Sequence, residues 1–398
     1  MTFSDNSSVH SAALTEENQA DLLDIGLFLL DDPDSANTVV SPVGVAAAAG
    51  VIAEGSSDEP IIDLKSLQPA WTMWRRWAGP PTRHPKKNPV IATAAQLFVD
   101  PEFSIKPAYH KAIARWDVSI ETGAITQENL DEWARINTAN LIQQSGITVT
   151  PEMKLVLQNA ITFAAKWQED FRQGGVLDDD FTRADGTVTR VEMMGSVRHT
   201  PYTVSDGWRE VRLDYTDGEL AAFVLIPDDD MEQVPLTTLR QAVTQLCRPN
   251  ETMGRVAVEL PRFTVTSGKK LFELFDCIGL ETNTQLKAMT DPPVMLTQAM
   301  QQAIIVVDER GTVVSAVTSG GMETGVSFYE AYSVAGEMGF GWWLVEHYLP
   351  YHVDCPNSCG LGEPARGRKD SPYFQVGYGS FDDIPDLVDP FAYSFLPV

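Results

Sequence analysis

Ser267 and Lys270 are the first pair of residues whose types and spacing could support catalysis. They match the Ser-x-x-Lys pattern of some acylating enzymes, in which the lysine activates the serine. The companion Ser-Asp-Asn and Lys-Thr-Gly elements of those enzymes do not occur in the sequence. Because serine is a preferred helix N-cap, and a strand through Val265 precedes it, we interpret Ser267 as a cap. A serine acyl-enzyme hydrolase is kept as a distant alternative.

A second cluster, His347, His352, Cys355 and Cys359, contains possible zinc ligands. The spacings of five, three and four positions are irregular and differ from those of zinc fingers. We interpret the cluster as accidental, with a metal site as the alternative.

The spacing from Asp185-Gly186 to Glu192 is similar to that of a calcium loop. Phe181 and Arg183 occupy positions that need oxygen ligands in such a loop, so this interpretation is rejected. We therefore predict no metal site and no cofactor.

Composition excludes some partners. The 398 residues include 29 basic and 55 acidic side chains, which give a formal net charge of −26. This charge argues against general affinity for nucleic acid or for an anionic membrane surface. The hydrophobic fraction of 43% is ample for a large core. Four cysteines are too few for a disulfide scaffold in a chain of this length.

The N-terminal sequence has neither a basic start nor an apolar run, and no apolar stretch is long enough to span a bilayer. From the sequence we predict no signal peptide and no membrane span. We expect a cytoplasmic protein, with an extracellular location as the alternative.

The elements that must position any site follow an α+β order, without βαβ alternation. Hydrophobic periodicity predicts helices and strands in turn. Helices are predicted at 15–30, 43–53, 107–116, 130–144, 235–247 and 269–278. Strands are predicted at 37–40, 92–99, 154–163, 188–194, 208–213, 219–226, 255–260 and 263–265. The continuous apolar character of 155–163 indicates a strand in the middle of a covered sheet. No linker divides the order, so we predict one domain over residues 1–398.

The stretch Val306–Val326 combines strand and loop features. A buried strand is predicted to end at the polar turn Asp308–Gly311. Thr312–Thr318 is rich in threonine and valine and has no charge, yet it leads into Ser-Gly-Gly. Such a segment could lie in solvent and still join an open sheet as an added strand.

Several blocks together resemble the serpin family, in the family's order over about residues 20–318. They are Asn37–Pro42, Leu97–Val99, Trp133 with Thr138, Asn159–Trp167 with Phe171, Val191–Met194, Leu225–Asp229, Leu260–Phe263 and Glu309–Thr312. The positions we assign to the family motif are Asn37, Ser41, Pro42, Asn159, Phe163, Trp167, Phe171, Pro261 and Phe263.

The resemblance implies an α+β fold with three β-sheets, about eight to nine helices and an exposed reactive loop over about 309–327. It also implies a monomer that is not an enzyme but a suicide substrate for a serine protease. In the family, the cut loop inserts into the central sheet while the acyl-linked protease is still attached. A non-inhibitory binding protein of the same fold is the alternative.

The resemblance assigns the loop hinge to Glu309, Gly311, Thr312, Val314, Ala316 and Thr318. In an inserted strand, alternate side chains face the core, so Thr312, Val314, Ala316, Thr318 and Gly320 would point inward. Val313, Ser315 and Val317 would point outward. The valines stiffen the hinge, and slower insertion would favour cleavage over trapping.

The family's usual loop length places the attacked bond near Gly325-Val326, within the range Met322, Glu323, Thr324 and Ser327. No lysine or arginine occurs in this range. The small residues suit an elastase-like or subtilisin-like target.

The resemblance weakens after about residue 320, and residues 328–398 form a divergent segment. Ser327–Ala331, Phe340–Tyr348 and Tyr373–Tyr378 are the candidate strands there, whereas Cys355–Asp370 fits none. Either this end is divergent or it has lost register with its relatives.

One basic patch, Arg75–Lys87, falls where some serpins bind sulfated glycans, but we interpret it as solvated charge beside a tryptophan face.

Overall fold

The computed structural model describes residues 14–30, 36–56, 60–171, 176–183, 187–205, 208–227, 240, 252–280 and 285–324. It also describes the backbone of three short strands at 339–344, 374–376 and 393–396.

Six α-helices lie in this part of the chain: α1 (Glu16–Leu30), α2 (Pro42–Ala53), α3 (Gln68–Thr72), α4 (Pro107–Ile113), α5 (Gln127–Asn137) and α6 (Phe272–Cys277). Short 3-10 helices cover Leu64–Leu67, Met73–Trp77 and Ala114–Trp116. Among the helices described, none is both long and apolar enough to cross a membrane.

The first eight strands are β1 (Ala36–Val40), β2 (Val90–Val99), β3 (Val118–Thr122), β4 (Met153–Lys166), β5 (Val176–Arg183), β6 (Val188–Ser205), β7 (Trp208–Asp214) and β8 (Ala221–Pro227). The remaining eight are β9 (Thr252–Pro261), β10 (Phe263–Lys270), β11 (Gln285–Leu286), β12 (Val294–Asp308), β13 (Gly311–Glu323), β14 (Gly339–Leu344), β15 (Phe374–Val376) and β16 (Tyr393–Leu396).

The strands form two sheets in the described part of the chain. The nine-stranded sheet has the order β1-β14-β16-β8-β7-β6-β5-β15, with β9 paired to β6. The seven-stranded sheet has the order β10-β12-β13-β4-β2-β3, with β11 paired to β12. The α+β fold class is confirmed, although three sheets were expected. The reason is β6, whose continuous backbone pairs with β5, β7 and β9 and joins two groups of strands into one sheet.

The centre of the seven-stranded sheet is formed by β4. Its residues from Leu155 to Ala165 are all buried, as the uninterrupted apolar run predicts. Helix α2 packs against β4 and β13, and all of its residues are buried. This helix begins with Pro42 and is capped by Ser41, whose Oγ accepts a hydrogen bond of 3.2 Å from the Gly44 amide. The main core therefore lies on the α2 side of this sheet.

Helix α5 covers the opposite side of the sheet and ends at Asn137, earlier than the predicted end at residue 144. Ala139 and Asn140 have φ angles of 51° and 60°, which are incompatible with a continuing helix. The Thr138 hydroxyl donates to the carbonyl of Ala134 at 2.7 Å and accepts from the amide of Ile142 at 3.1 Å. The chain therefore turns and continues over the sheet.

Candidate functional site

Strand β13 lies between β12 and β4 and pairs antiparallel with both. Its register on β4 runs from Gly311 opposite Lys166 to Met322 opposite Leu155. All of its residues before Glu323 are buried. The structure therefore differs from the expected exposed loop, since this part of residues 309–327 is a strand within the sheet. The physical reason is that an uncharged, β-branched segment bonds along both edges when two strands leave a gap between them.

The turn before β13 brings its first residue into very close contact with β4. The Asp308 carboxylate accepts hydrogen bonds from the backbone amides of Arg310 at 2.8 Å and Gly311 at 3.1 Å. A Cβ on Gly311 would overlap the carbonyl oxygen of Ala165 and would lie 2.7 Å from Cβ of Pro85. Because the first obstacle is backbone, only glycine fits at this position in the register observed.

Glu309 holds this turn to the start of β10. The Arg262 guanidinium donates to Oε2 of Glu309 through Nε at 2.9 Å and through Nη2 at 2.5 Å. Its Nη1 donates to Glu192 at 3.0 Å. The hydrogen bonds to Glu309 raise the pKa of Arg262 above its usual range, so the guanidinium stays charged.

Two aromatic residues of the family motif also hold the turn. The backbone amide of Trp167 donates to the carbonyl of Arg310 at 3.0 Å, and that of Phe171 donates to the carbonyl of Glu309 at 3.0 Å. The indole Nε1 of Trp167 donates to the carbonyl of Asp308 at 3.0 Å. Trp167 also stacks on Tyr215, with ring centroids 4.8 Å apart, and Phe163 meets Tyr215 edge-on at 5.0 Å.

On the side of the sheet that faces α2, Val314 and Ala316 belong to the main core. The next inward residue, Thr318, accepts a hydrogen bond of 2.9 Å from Nε2 of Gln301. The same Gln301 side chain accepts from the Ser41 amide at 2.7 Å and donates to the Ser41 carbonyl at 3.1 Å. This polar contact joins β12, β13 and the beginning of α2.

Two further side chains on this side of the sheet are those of Asn159 in β4 and Thr312 in β13. Asn159 Nδ2 donates to the carbonyl of Gly44 in α2 at 2.8 Å, so this motif residue has a structural contact. Thr312 is fully buried at the start of the strand.

On the opposite side of the sheet, the outward side chains of Ser315 and Val317 contact neighbouring residues, and Val313 is buried. The Ser315 and Thr162 hydroxyls lie 2.8 Å apart. Val317 packs with Ala134, Ile142 and Ala160 beneath α5. The outward positions are therefore covered and not exposed to solvent.

Other residues assigned from the sequence have these locations. Asn37 lies in β1, with its backbone opposite Phe340 of β14. Pro261 ends β9 opposite Met193, and Phe263 begins β10 opposite Val307. The candidate scissile residues Gly325, Val326 and Ser327 lie outside the described residues, as do His347, His352, Cys355, Cys359, the candidate strand Ser327–Ala331 and the segment Cys355–Asp370.

The capping interpretation of Ser267 is wrong, because Ser267 lies inside β10 and α6 begins only at Phe272. The Ser267 hydroxyl donates to the Val39 carbonyl at 2.6 Å and accepts from the Val39 amide at 2.8 Å. It therefore bonds both backbone groups of one β1 residue. Lys270 stands three positions away on the same strand, and a strand directs residues at odd separations to opposite faces. This geometry does not bring the lysine to the serine hydroxyl.

Sequence reasoning missed two residues of this site. Arg262 lies in the Leu260–Phe263 block, where its charge directly after a buried strand was a signal. Gln301 is one of several polar residues in β12, but its side chain is buried, and the cost of burying an amide without a partner predicts such contacts.

The protein-family comparison agrees with this arrangement. The model of the family described as "Serpin (serine protease inhibitor)" matches residues 27–335. The chain belongs to the serpin family. The matched range includes β13 and the turn before it, and it ends before β14.

Curated serpins of plants are similar to this chain over part of their length. Serpin-Z1B of Triticum aestivum is 26% identical over 259 residues, which are 58% of this chain and 64% of the wheat protein. Serpin-Z7 of Hordeum vulgare is 24% identical over 258 residues, which are 58% of this chain and 64% of that protein. The similarity thus spans less than two thirds of these two serpins.

Solved serpin structures share the fold. Cleaved kallistatin complexed with heparin has a TM-score of 0.67 at 18% identity, covering 79% of this chain and 100% of that chain. Thyroxine-binding globulin complexed with thyroxine-fluoresein has a TM-score of 0.64 at 17% identity, covering 77% of this chain and 97% of that chain. At this identity, the likeness establishes the fold alone.

Proposed function

We propose that this serpin inhibits serine proteases as a suicide substrate. The protease serine attacks the carbonyl carbon at the loop bond near Gly325-Val326, and the new amine at Val326 leaves. The resulting ester links the protease to the new carboxyl end of the loop. Insertion of the loop between β12 and β4 then carries the linked protease along the sheet before water can hydrolyse the ester.

The single observation that supports this proposal most strongly is the fit of β13. Thirteen residues lie in the sheet, are paired on both edges and bury nearly all of their side chains without placing a charge in the core. With each backbone hydrogen bond contributing about 0.5–1.5 kcal/mol net, such a strand would release on the order of ten kcal/mol. Energy of this size is sufficient to distort a protease active site.

The valines of the hinge also fit the inserted state. Val317 fills a pocket between β4 and α5, and Val313 is only 1% exposed. Burying each side chain favours the inserted strand by roughly 1.5–3 kcal/mol at most. Their β-branched side chains restrict side-chain rotation and are expected to slow insertion. The same residues therefore stabilise the inserted strand and lower the rate at which it forms.

The proposed target is an elastase-like or subtilisin-like protease. Thr324 and Gly325 offer small side chains near the bond, and the range Met322–Ser327 has no basic residue for a trypsin-like pocket. β13 ends at Glu323, and the proposed bond, Gly325-Val326, follows shortly after it in the sequence.

A non-inhibitory binding protein of the same fold is the second candidate. The family match ends at residue 335, and the stiff valine hinge is the feature that favours cleavage without trapping. The structural likeness to thyroxine-binding globulin complexed with a thyroxine derivative supports this alternative only at the level of fold.

The deciding experiment incubates the protein with elastase-like and subtilisin-like proteases and separates the products on a denaturing gel. A covalent adduct is expected with the wild type. Thr312→Arg would place a cation in a fully buried position of β13 and abolish the adduct. Val188→Arg, at an exposed position in β6, is the matched control and keeps the adduct. Clean cleavage of the wild type without any adduct would refute trapping.

A further inference from the structure

Arg198 is a charged residue of β6 whose side chain lies inside the protein. It stands opposite Val256 of β9, and it is only 6% exposed. Nε and Nη2 of its guanidinium donate to the Ser196 hydroxyl at 2.8 and 2.6 Å. Burying a cation is costly unless other groups replace its lost hydration. Arg198 is neither a motif residue nor part of the turn before β13, so its burial needs a separate reason.

An aromatic ring faces the guanidinium. Cζ of Arg198 lies 4.3 Å from the centroid of the Phe171 ring, within the range of a cation–π contact. Two carboxylates between Trp167 and Phe171, those of Glu169 and Asp170, attract the guanidinium as well. Burial lowers the pKa of Arg198 from 12.5 to about 10, and these two carboxylates oppose the shift. The guanidinium is therefore charged at neutral pH, and its charge favours the observed position of residues 167–171.

Phe171 connects this contact to the turn before β13. Its backbone amide donates to the Glu309 carbonyl at 3.0 Å, and its ring meets that of Trp167 edge-on, with centroids 6.2 Å apart. Trp167 donates to the carbonyls of the residues directly before and after Glu309. Three successive carbonyls of the turn are thus bound by two residues, and the ring of one of them, Phe171, packs on Arg198.

The position of this turn determines where β13 begins. Gly311 directly follows the turn carbonyls and is paired with Lys166 of β4. Successive side chains of a strand point to opposite faces, so a shift of one residue would move every inward side chain of β13 to the other face of the sheet. The hydrogen bonds from residues 167–171 to the turn therefore favour one register for the whole strand.

We propose that Arg198 is a positioning residue for this turn: by fixing the Phe171 ring it holds the backbone amide that binds Glu309, and it thereby sets how readily β13 takes its register in the sheet. The consequence for trapping rests on the proposed function. The contact itself belongs to the protein with β13 in the sheet and is measured without any protease complex. Arg198 takes no part in the chemistry at the scissile bond.

A positioning role differs from a contribution to the stability of the whole protein. Replacing a buried charge by an apolar side chain of similar volume is often neutral or stabilising for a fold. Arg198→Met removes the charge and the cation–π contact but keeps an unbranched side chain in the core. The turn is therefore expected to loosen in this variant although the fold as a whole does not weaken. Arg198→Lys keeps the charge but lacks the planar group that stacks on a ring.

The test measures amide hydrogen exchange at Phe171 and the free energy of unfolding in urea, both in protein cut near Gly325-Val326. Arg198→Met is expected to raise exchange at Phe171 about tenfold, with a free energy of unfolding that is unchanged or higher. Arg198→Lys is expected to fall between Arg198→Met and wild type. Ser196→Ala, which removes the hydroxyl that binds the guanidinium, is expected to fall there too.

Arg190→Met is the matched control. Arg190 lies on the same strand, but it is exposed and its Nη1 pairs with the Asp180 carboxylate at 3.2 Å. This variant loses the same charge without touching Phe171. Its exchange at Phe171 is expected to equal that of wild type.

The consequence for the proposed function is measured with the elastase-like and subtilisin-like proteases. A loosened turn delays the pairing of β13 with β4, so water has more time to hydrolyse the ester. Arg198→Met is expected to lower the ratio of adduct to cleaved protein by about tenfold, in proportion to the exchange at Phe171. Arg190→Met is expected to keep the wild-type ratio.

Equal exchange at Phe171 in wild type and Arg198→Met would overturn the positioning role, whatever the proteases show. A rise at Phe171 that is matched by an equal loss of global stability would overturn it too, because Arg198 would then support the whole fold. If Arg198→Met does not fold, Arg198→Lys and Ser196→Ala decide by the same comparison.

Faster exchange with an unchanged ratio of adduct to cleaved protein would overturn the link between the turn and insertion. Faster exchange with no adduct in any protein, wild type included, would support the positioning role and refute inhibition. The failure of one proposal is therefore distinguishable from the failure of the other.

Discussion

Gln301 and Thr318 are joined across β12 and β13 by a hydrogen bond of 2.9 Å from Nε2 to Oγ1. The same Gln301 side chain forms hydrogen bonds with the amide and the carbonyl of Ser41, so it connects β13 to the beginning of α2. This contact links β13 to Ser41, a motif residue at the start of the serpin second helix.

We expect Gln301→Leu to lower the free energy of unfolding of the loop-cut protein by about 2–3 kcal/mol, since it leaves buried polar groups of Ser41 and Thr318 without a partner. Urea unfolding measures the change. Gln302→Leu, one position along the strand and only partly buried, is the control and is expected to change the value by less than about 1 kcal/mol. Equal losses in the two variants would contradict the role of the contact.

Gly311→Ala is expected to prevent the first residues of β13 from taking their register on β4. The added methyl group would overlap the Ala165 carbonyl, and backbone cannot move aside as a side-chain end can. The cut variant should then gain little resistance to heat. Gly195→Ala in β6 is the matched control, because a Cβ there has nothing within 4 Å. Normal insertion in Gly311→Ala would show that the turn adopts another path.

Removing the guanidinium in Arg262→Ala is expected to destabilise the turn before β13 by about 1–3 kcal/mol, because the largely buried Glu309 carboxylate loses a doubly bonded partner. Glu309→Gln should cost less, since an amide oxygen can still accept from Arg262. The free energy of unfolding in urea distinguishes the two. An Arg262→Ala variant as stable as wild type would contradict a stabilising role for this ion pair.

Asp21 in α1 predicts a pH dependence of stability. Burial, reinforced by Glu17, Asp24 and Asp63, raises its pKa from 3.8 to about 6, while Arg240 opposes the shift. Because the folded pKa lies above the unfolded value, ionised Asp21 destabilises the fold at neutral pH, and the penalty declines as pH falls from about 6 to 3.8.

Asp21→Asn should therefore stabilise the protein by about 1 kcal/mol at pH 7.5, a value reduced for solvent screening of a partly exposed carboxyl, and by almost nothing near pH 4. Urea midpoints measured across this pH range provide the comparison. A gain that is independent of pH would assign the effect to packing and not to charge.

Much of the fold follows from local sequence pattern. The apolar run in β4, the Ser-Pro start of α2 and the polar turn at Asp308 each specify their own structure, because each carries its signal within a few residues. The end of α5 was harder to predict from the sequence. The helix stops where the Thr138 hydroxyl accepts a hydrogen bond from the Ile142 amide, and not at a proline or glycine.

The parts that were missed depend on distant partners. Ser267 has the residue type of a cap, but a backbone residue 228 positions away satisfies its hydroxyl. The location of Gly311–Glu323 within the sheet depends on a gap between β12 and β4, which no pattern within the segment itself encodes. Single-sequence reasoning could show that this stretch was able to form a strand, but not which state it occupies.

The proposed function requires that residues 311–323, which lie within the sheet in this structure, lie outside it before cleavage and enter it afterwards. Amide hydrogen exchange of these residues, measured in the intact protein and after proteolytic cleavage of the loop near Gly325-Val326, tests this most directly. Rapid exchange is expected before the cut, with protection increased by at least roughly a thousandfold after it, as for a central strand. Equal protection in the two samples would contradict the claim.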